Sequence, residues 1–415
     1  MPAPKPAEGG SDSASPSPLC HVSADNAVRV HCDAEGPATV VLSAPGLPTR
    51  QATGEPPVVW GLRADTRYSW TLGERSGVVT TGSLPPALAA AELTATGSLP
   101  ADVDAVLLAL ACEGPALVMV DGDGAIVWYD QDTPFASPRH GYSWSQEDGT
   151  VWSLNDTTLV GVAAAGGEVL RLEQGVHFTG TLHHDLTRWG PYTYVLFSEP
   201  HPVADMDGIH VFEGTTLVAS WRLSDSFEVV PADPPIIGAG AGDWAHANGL
   251  TATPDGELVL SLLNFDTVIG LGGDPSLPDL LSPRWLAVGS ERGLPGADFV
   301  PADPMDGFRA QHNASRQGEA LWLFDNTGTG DGSRAVRFGM ADGQLTREAA
   351  WDLGIGCPVQ SGAVPLAHGV LASCATAGSV YVFPEGSSAP AWSLQTRCGE
   401  SFRSTMTRAH PVQFR

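Results

Sequence analysis

The sequence predicts an all-β protein, a six-bladed β-propeller preceded by a small β-sandwich. Three observations predict it. Glycine and proline number 48 and 34 among 415 residues, and no long amphipathic helical pattern stands between them, which favours strands joined by many turns. From about residue 95 a degenerate repeat recurs: an apolar strand, a polar Gly/Asp turn, a second strand and often a tryptophan near the end. Histidines arrive in register with that repeat.

Taken in order, the segment from Pro2 to Pro18 is rich in Pro, Ala, Ser and Gly and reads as a disordered linker, residues 1–18. Such a start suits an exported protein or lipoprotein whose signal has been removed. Residues 19–86 form a first unit in which Ala27-Val-Arg-Val-His31 and Thr39-Val-Val-Leu42 alternate as strands do. Leu62-Arg-Ala-Asp-Thr66-Arg-Tyr68-Ser-Trp70, followed by Thr80-Thr81-Gly82, resembles the end of a fibronectin type III module, where a Leu…Thr-x-Tyr stretch forms a tyrosine corner.

Residues 95–415 hold six copies of the repeat. The first runs from Ala116-Leu-Val-Met-Val120 to Trp128, and the second from Val151 to Leu170. The third runs from Tyr194 to Trp221, the fourth from Leu258 to Trp285, the fifth from Leu321 to Trp351 and the sixth from Val370 to Trp392. Units of this length point to a propeller, because one four-stranded blade cannot bury both its faces and a ring of blades can. The tryptophans are expected between blades. A large β-sandwich is the alternative, against which the repeat spacing argues.

The formal charge is −26 and Lys5 is the single lysine, which argues against nucleic acid and against an anionic membrane surface as partners. No apolar run is long enough to span a membrane; the best, Val106 to Val120, is broken by Glu113, Gly114 and Pro115. Six cysteines occur without a Cys-x-x-Cys pair. Their even count and clustering allow a Cys20–Cys32 bridge and one bridge among Cys357, Cys374 and Cys398, as in an oxidising compartment; buried free thiols are the alternative.

In a propeller the first strand of each blade lines the central channel. His140, His184, His246, His312 and His368 each precede the first strand of a repeat, so the fold predicts a ring of imidazoles at one mouth of the channel. Imidazoles gathered there suit nucleophilic, acid–base or metal chemistry near neutral pH. A hydrogen-bonded structural role is the plain alternative for any one of them. Their settings differ, however: Leu182-His183-His184-Asp185, Asp243-Trp244-Ala245-His246-Ala247-Asn248 and Gln311-His312-Asn313-Ala314. No His-x-His spacing indicates a metal, and adjacent His183 and His184 are expected on opposite faces of a strand.

These motifs, with Asp255-Gly256, Ser261-Leu-Leu-Asn264-Phe-Asp-Thr267-Val268, Leu323-Phe324-Asp325-Asn326 and Ser333-Arg334-Ala-Val336, resemble the bacterial arylsulfate sulfotransferase family over most of residues 95–415. The resemblance implies a six-bladed propeller in the periplasm, at the cell surface or secreted. It implies sulfuryl transfer from an aryl sulfate to a phenol, without a nucleotide donor or other cofactor. Carried over, His312 is the histidine that becomes sulfurylated, His246 protonates the leaving phenolate, and His184 holds the sulfuryl oxygens. His183, Asn248, Asn264, Arg309, His140 and His368 are further candidates to bind substrate. The family has an arginine in the strand after Asp-Trp-x-His; here Leu263 stands in its place, and Arg309 and Arg188 are the substitutes near the histidines. A non-catalytic binding propeller joined to an adhesion module, or a histidine-bound metal, are the competing functions.

Overall fold

A computed structural model describes residues 19–112, 114–132, 141–229, 242–277, 280–326, 332–397 and 408–414. The protein is nearly all β, in many small antiparallel sheets. The sole α-helix among the described residues is one turn, Pro86–Ala89, and no described helix is long and apolar enough to cross a membrane.

Two sheets lie at the N-terminus. One holds Cys20–Val22, Val30–Cys32 and Val58–Val59; the other, in spatial order, holds Arg50–Gly54, Ala38–Ser43, Arg67–Leu72 and Arg75–Thr80. Arg67–Leu72 alternates strictly, with Tyr68, Trp70 and Leu72 buried and the residues between them exposed. That is the two-residue period of a strand with one face in a core. Both sheets feed one apolar cluster that includes Val30, Val40, Leu42, Val59 and Trp70. A Cys20–Cys32 disulfide ties the first two strands, and the Tyr68 hydroxyl accepts a hydrogen bond from the Arg63 amide at 3.0 Å, the contact expected of a tyrosine corner. The unit is anchored to the remainder of the chain by Arg63 Nε donating to Asp121 at 2.7 Å and by Asn26 donating to the Tyr129 carbonyl at 2.9 Å.

The remaining described residues form six sheets. Their innermost strands are, in chain order, Tyr142–Ser145, Thr181–Trp189, Ala247–Ala252, His312–Gln317, Gly362–Leu366 and His410–Val412. Each sheet packs on two others. Shared apolar clusters hold Leu154 and Leu159 with Val195 and Phe212, Ile209 with Leu260, Val268 with Leu323, Phe324 with Val370, Val382 with Leu108, and Met119 with Val151. These clusters link each described sheet to two others. The tryptophans pin neighbours together: the indole N–H groups of Trp128, Trp351 and Trp392 donate to Ala164, Pro384 and Gly122 on the adjoining sheets at 3.1, 3.3 and 2.8 Å.

Chain ends complete the cycle. His410–Val412 pairs with Ala105–Cys112 and supplies the innermost strand of the first sheet, while Glu92–Gly97 adds to the outer edge of the last. The sheets therefore begin at Glu92, three residues before the expected boundary at 95. One expectation shifts by a whole strand. The apolar segments that read as the first strand of each repeat, such as Tyr192–Glu199, Glu257–Leu262 and Ala320–Asp325, are second strands. The true innermost strands are too polar to be recognised by hydrophobic alternation.

Candidate active site

The histidines stand on or directly before these polar inner strands. His184 lies within Thr181–Trp189, His246 immediately precedes Ala247–Ala252, and His312 opens His312–Gln317. At each place the ladder skips. Pairing breaks between Leu182 and Leu186, between Ala247 and Gly249, and between His312 and Ser315. His184, His246 and Asn313 have positive φ, at 54°, 53° and 51°. A left-handed residue inside a bulge turns the side chain out of the sheet's alternation and re-aims it. This overturns the expectation that His183 and His184 face opposite ways: their Nδ1 atoms are 2.9 Å apart. Gly141 makes the crossing possible, because a Cβ there would sit 2.2 Å from the His184 carbonyl oxygen.

The structure brings the predicted trio together. The His184 and His246 rings are 4.9 Å apart, and His246 is near enough that its charge would act on His312. His184, Asp185, Asn248, His312, Asn313 and Arg408 line one cavity with Gln360 and Ser361. Its volume is about 20 Å³, room for one or two water-sized groups.

Each imidazole is oriented by a second group. The Asn326 amide N–H donates to the carbonyls of Cys357 and Gln360, the latter at 2.9 Å, which turns its oxygen toward His312. His312 Nδ1 lies 2.7 Å from that oxygen and must carry the proton, leaving a lone pair on Nε2. Burial, with the nearby His246, pulls the His312 pKa down to about 4 against the hydrogen bond to Asn326, so the ring is neutral at pH 7. His246 Nδ1 donates to Asp243 Oδ2 at 2.6 Å, and the His246 amide donates to the other carboxylate oxygen at 3.0 Å. Burial would raise Asp243, but the His246 contacts outweigh it and hold the carboxyl below its usual range.

His183 backs His184. Its Nε2 sits 3.1 Å from Asp207 Oδ1 in an ion-pair contact of poor hydrogen-bond direction, and Asp207 also accepts from the Ala247 amide at 2.8 Å. Burial lowers the His183 pKa, and the Asp207 and Asp243 carboxylates more than restore it, so its pKa lies above the ordinary value. The two Nδ1 atoms face each other, so one imidazole donates to the other.

The other candidates divide. Asn248 donates to the Gln311 carbonyl at 2.8 Å and leaves its buried oxygen without a partner in the cavity wall. Asn264 donates to the Asp243 and Trp244 carbonyls at 3.1 and 3.3 Å and so shapes the loop that carries His246. Arg309 is exposed and lies 3.6 Å from Glu291, away from the cavity lining. Arg188 pairs with Asp148 over the Trp152 ring. His368 does not precede an inner strand. It is exposed in the turn after Gly362–Leu366, a strand that Pro365 keeps from reading as one. His140 lies outside the described residues.

Sequence reading misses Asp243, Asp185, Asn326 and Arg408. Asp243 stands three residues before His246 inside the motif, a spacing that lets a carboxylate reach the following imidazole. Arg408 carries one signal: it stands two residues before His410–Val412, as other site residues stand at the heads of inner strands. Among the described residues no group of three or more His, Cys, Asp or Glu side chains could hold a metal ion. A second disulfide joins Cys357 to Cys374 below Asn326.

Residues 104–341, more than half of the 415, match the family model described as Arylsulfotransferase (ASST). The chain belongs to the arylsulfotransferase family. No curated protein matches it significantly. Among solved structures it is similar to a protein of unknown function from Bacteroides caccae, at 11% identity and TM-score 0.47, over 75% of this chain and 99% of that one. It is also similar to a periplasmic gluconolactonase from Pseudomonas aeruginosa, at 12% identity and TM-score 0.41, over 75% and 99%. A third is virginiamycin B lyase from Staphylococcus aureus, at 11% identity and TM-score 0.38, over 87% and 94%. Likeness this remote says nothing about activity.

Proposed function

We propose that this arylsulfotransferase moves a sulfuryl group from an aryl sulfate to a phenol through a sulfohistidine at His312. The observation that carries the reading is the tautomer: an amide locked by two carbonyls leaves a neutral imidazole with its Nε2 lone pair, on a residue that lines one cavity with His184 and Arg408. In the first half-reaction Nε2 attacks sulfur, the S–N bond forms and the S–O bond to the aryl group breaks. The electron pair leaves with the phenolate oxygen, which takes a proton from His246, itself backed by Asp243. In the second half-reaction the acceptor phenol gives its proton to His246 and attacks sulfur. The S–N pair then returns to His312, giving ping-pong kinetics. The His184 N–H donates to the sulfuryl oxygens, and His183, pinned by Asp207, backs it.

The same reading makes the six sheets the blades of one propeller. It makes residues 19–86 a fibronectin type III-like sandwich, supported by three strands facing four and by the tyrosine corner. The disulfides support an oxidising location, the periplasm, the cell surface or the medium.

The test is exposure to an aryl sulfate with and without a phenol acceptor. Free phenol should be released, an added sulfonate should be found by mass spectrometry on the peptide holding His312, and His312→Ala should abolish both. Leu263 favours one second reading, a propeller that binds without turnover. Tight ligand binding with no sulfonate on the protein and no phenol released would favour it and end the sulfohistidine scheme.

A further inference from the structure

A sulfuryl group in transfer carries negative charge on three oxygens, and a neutral donor alone is a weak partner for it. The position where the family has an arginine is filled by Leu263, buried and apolar, its amide donating to the His246 carbonyl at 3.2 Å. Among the described residues, the arginines beside the histidine motifs are engaged elsewhere: Arg309 with Glu291, Arg188 with Asp148, and Arg316 with Glu257 at 2.8 Å. Among the described residues, Arg408 is the arginine that lines the cavity shared by His184 and His312.

We propose that Arg408 grips the sulfuryl oxygens during transfer, and that Asp185 is the positioning residue that aims it; the proposal rests on the sulfohistidine reading above. Arg408 comes from the opposite end of the chain from the residue it replaces. It precedes His410–Val412, the strand that completes the first sheet, so ring closure itself delivers the cation to the centre.

Arg408 is 7% exposed, and a guanidinium so buried requires a partner. Its Nη2 donates to Asp185 Oδ1. Asp185 Oδ1 also accepts from the Leu186 amide at 2.7 Å, and Oδ2 accepts from the Leu250 amide at 2.6 Å. A carboxylate clamped by two backbone amides cannot swing, so the guanidinium it holds has a fixed plane. On the other side Arg408 Nε lies 3.2 Å from His410 Nε2. His410 is kept neutral by burial and by Arg408 itself, so it does not repel the cation. Gly362 gives the arginine its room: a Cβ there would stand 2.6 Å from the Arg408 Cβ.

The chemistry is that of a fixed charge. While His312 Nε2 bonds to sulfur and the aryl oxygen leaves, the three non-bridging oxygens keep their charge, and a guanidinium can hold them through its N–H donors. It therefore serves both half-reactions without moving a proton, whereas His246 serves them by moving one.

The experiment compares wild type, Arg408→Ala, Arg408→Lys and His312→Ala, reading both half-reactions with an aryl sulfate and a phenol. Loss of the donor should cut the rate of each half-reaction by on the order of 10²–10³-fold in Arg408→Ala, with Arg408→Lys between it and wild type. Added guanidinium ion should restore Arg408→Ala by at least about tenfold and leave His312→Ala inert, a response that a merely structural role would not give. Arg408→Ala leaves the Asp185 carboxylate buried without its cation, so Asp185→Asn/Arg408→Ala is measured beside it, with thermal unfolding to establish that it folds. If wild type forms sulfohistidine and these variants keep rates within about threefold, or lose them without guanidinium rescue, the assignment of Arg408 is overturned alone. If wild type forms no sulfohistidine, the function proposed above falls and Arg408 with it.

Discussion

The strand Arg67–Leu72 and the strand His312–Gln317 are both partly buried, and they bury opposite things. The first sends Tyr68, Trp70 and Leu72 inward and its polar side chains to water. The second buries His312 and Asn313 at the centre of the ring, among Gln311, Asn248, Asp185 and Arg408. The N-terminal unit has the arrangement that stability alone selects. The ring has an apolar outer wall that carries its stability and a polar centre that spends some of it. Several buried oxygens there, on Asn248, Gln311 and Asn313, have no partner among the described residues, and the non-glycine residues His184, His246 and Asn313 take left-handed conformations that cost about 1–3 kcal/mol each. Strain and orphan polar atoms gathered at one place mark the region where function overrides folding.

The division can be broken at its outer wall. Trp351 stacks on Trp322 with ring centroids 5.7 Å apart and reaches across to the Pro384 carbonyl of the next sheet. Truncation to alanine leaves a cavity between two sheets, and Trp351→Ala should lower unfolding stability by about 3–5 kcal/mol in a denaturant titration. The rate of sulfuryl transfer per folded molecule should stay at the wild-type level. A variant that folds fully and transfers slowly would mean that wall and centre are not separable.

The centre can be tested by pH. His312 titrates near 4 in the folded protein, against an ordinary value of 6.5. Its folded pKa is depressed, so its contribution to stability is complete above pH 6.5 and is lost as pH falls from 6.5 toward 4. The loss amounts to about 3 kcal/mol. Asp185, raised by burial to about 6 against the pull of Arg408, acts with the opposite sign: it costs stability as pH rises from 3.8 to about 6. The measurement is therefore a difference between wild type and His312→Gln across that range. The variant should lose less stability on acidification. Parallel curves would mean that His312 is not held neutral by burial.

The same contrast explains what is legible in the sequence. Outer strands such as Tyr192–Glu199 and Ala320–Asp325 are apolar runs that end on a turn, and their recurrence with Trp221, Trp285, Trp351 and Trp392 betrays the repeat. Three inner strands do not show because His, Asp or Asn interrupts their apolar residues, and Gly362–Leu366 does not because of Pro365, so the count of first strands slips outward by one. That slip is what puts His368 at the centre. The trio His184, His246 and His312 can be found because each lies some ten residues before an apolar run. Arg408 is harder to find, because the strand it precedes is three residues long and that strand's partner, Ala105–Cys112, lies some three hundred positions upstream. Pairing across such a distance leaves no local pattern. The rotation that joins His183 to His184 is hidden for a related reason: a bulge annuls the two-residue period on which facing is judged.

The smallest expected effect lies in the N-terminal unit, where a single polar contact can be removed without touching the ring. Tyr68 is 2% exposed, and its hydroxyl serves the Arg63 amide at 3.0 Å while its ring fills the core between the two sheets. Burial raises the phenol pKa, so the group is a neutral hydroxyl throughout the working range. Tyr68→Phe keeps the ring and leaves the amide unpaired, which should cost about 1 kcal/mol, read as a small fall in the unfolding midpoint of this unit. Arg63 is the link to the ring through Asp121 and Asp123, so the sensitive readout is the coupling between units rather than the midpoint alone. If that turn holds Arg63 in register, Tyr68→Phe should loosen the contact, and amide exchange should quicken around Asp121 and Ala125, whose turn the same carboxylate caps. Exchange there unchanged, with the midpoint lowered, would make the tyrosine corner a device of the N-terminal unit alone. Sulfuryl transfer should be unaffected in either case, because no residue of residues 19–86 lines the cavity that His184 and His312 share.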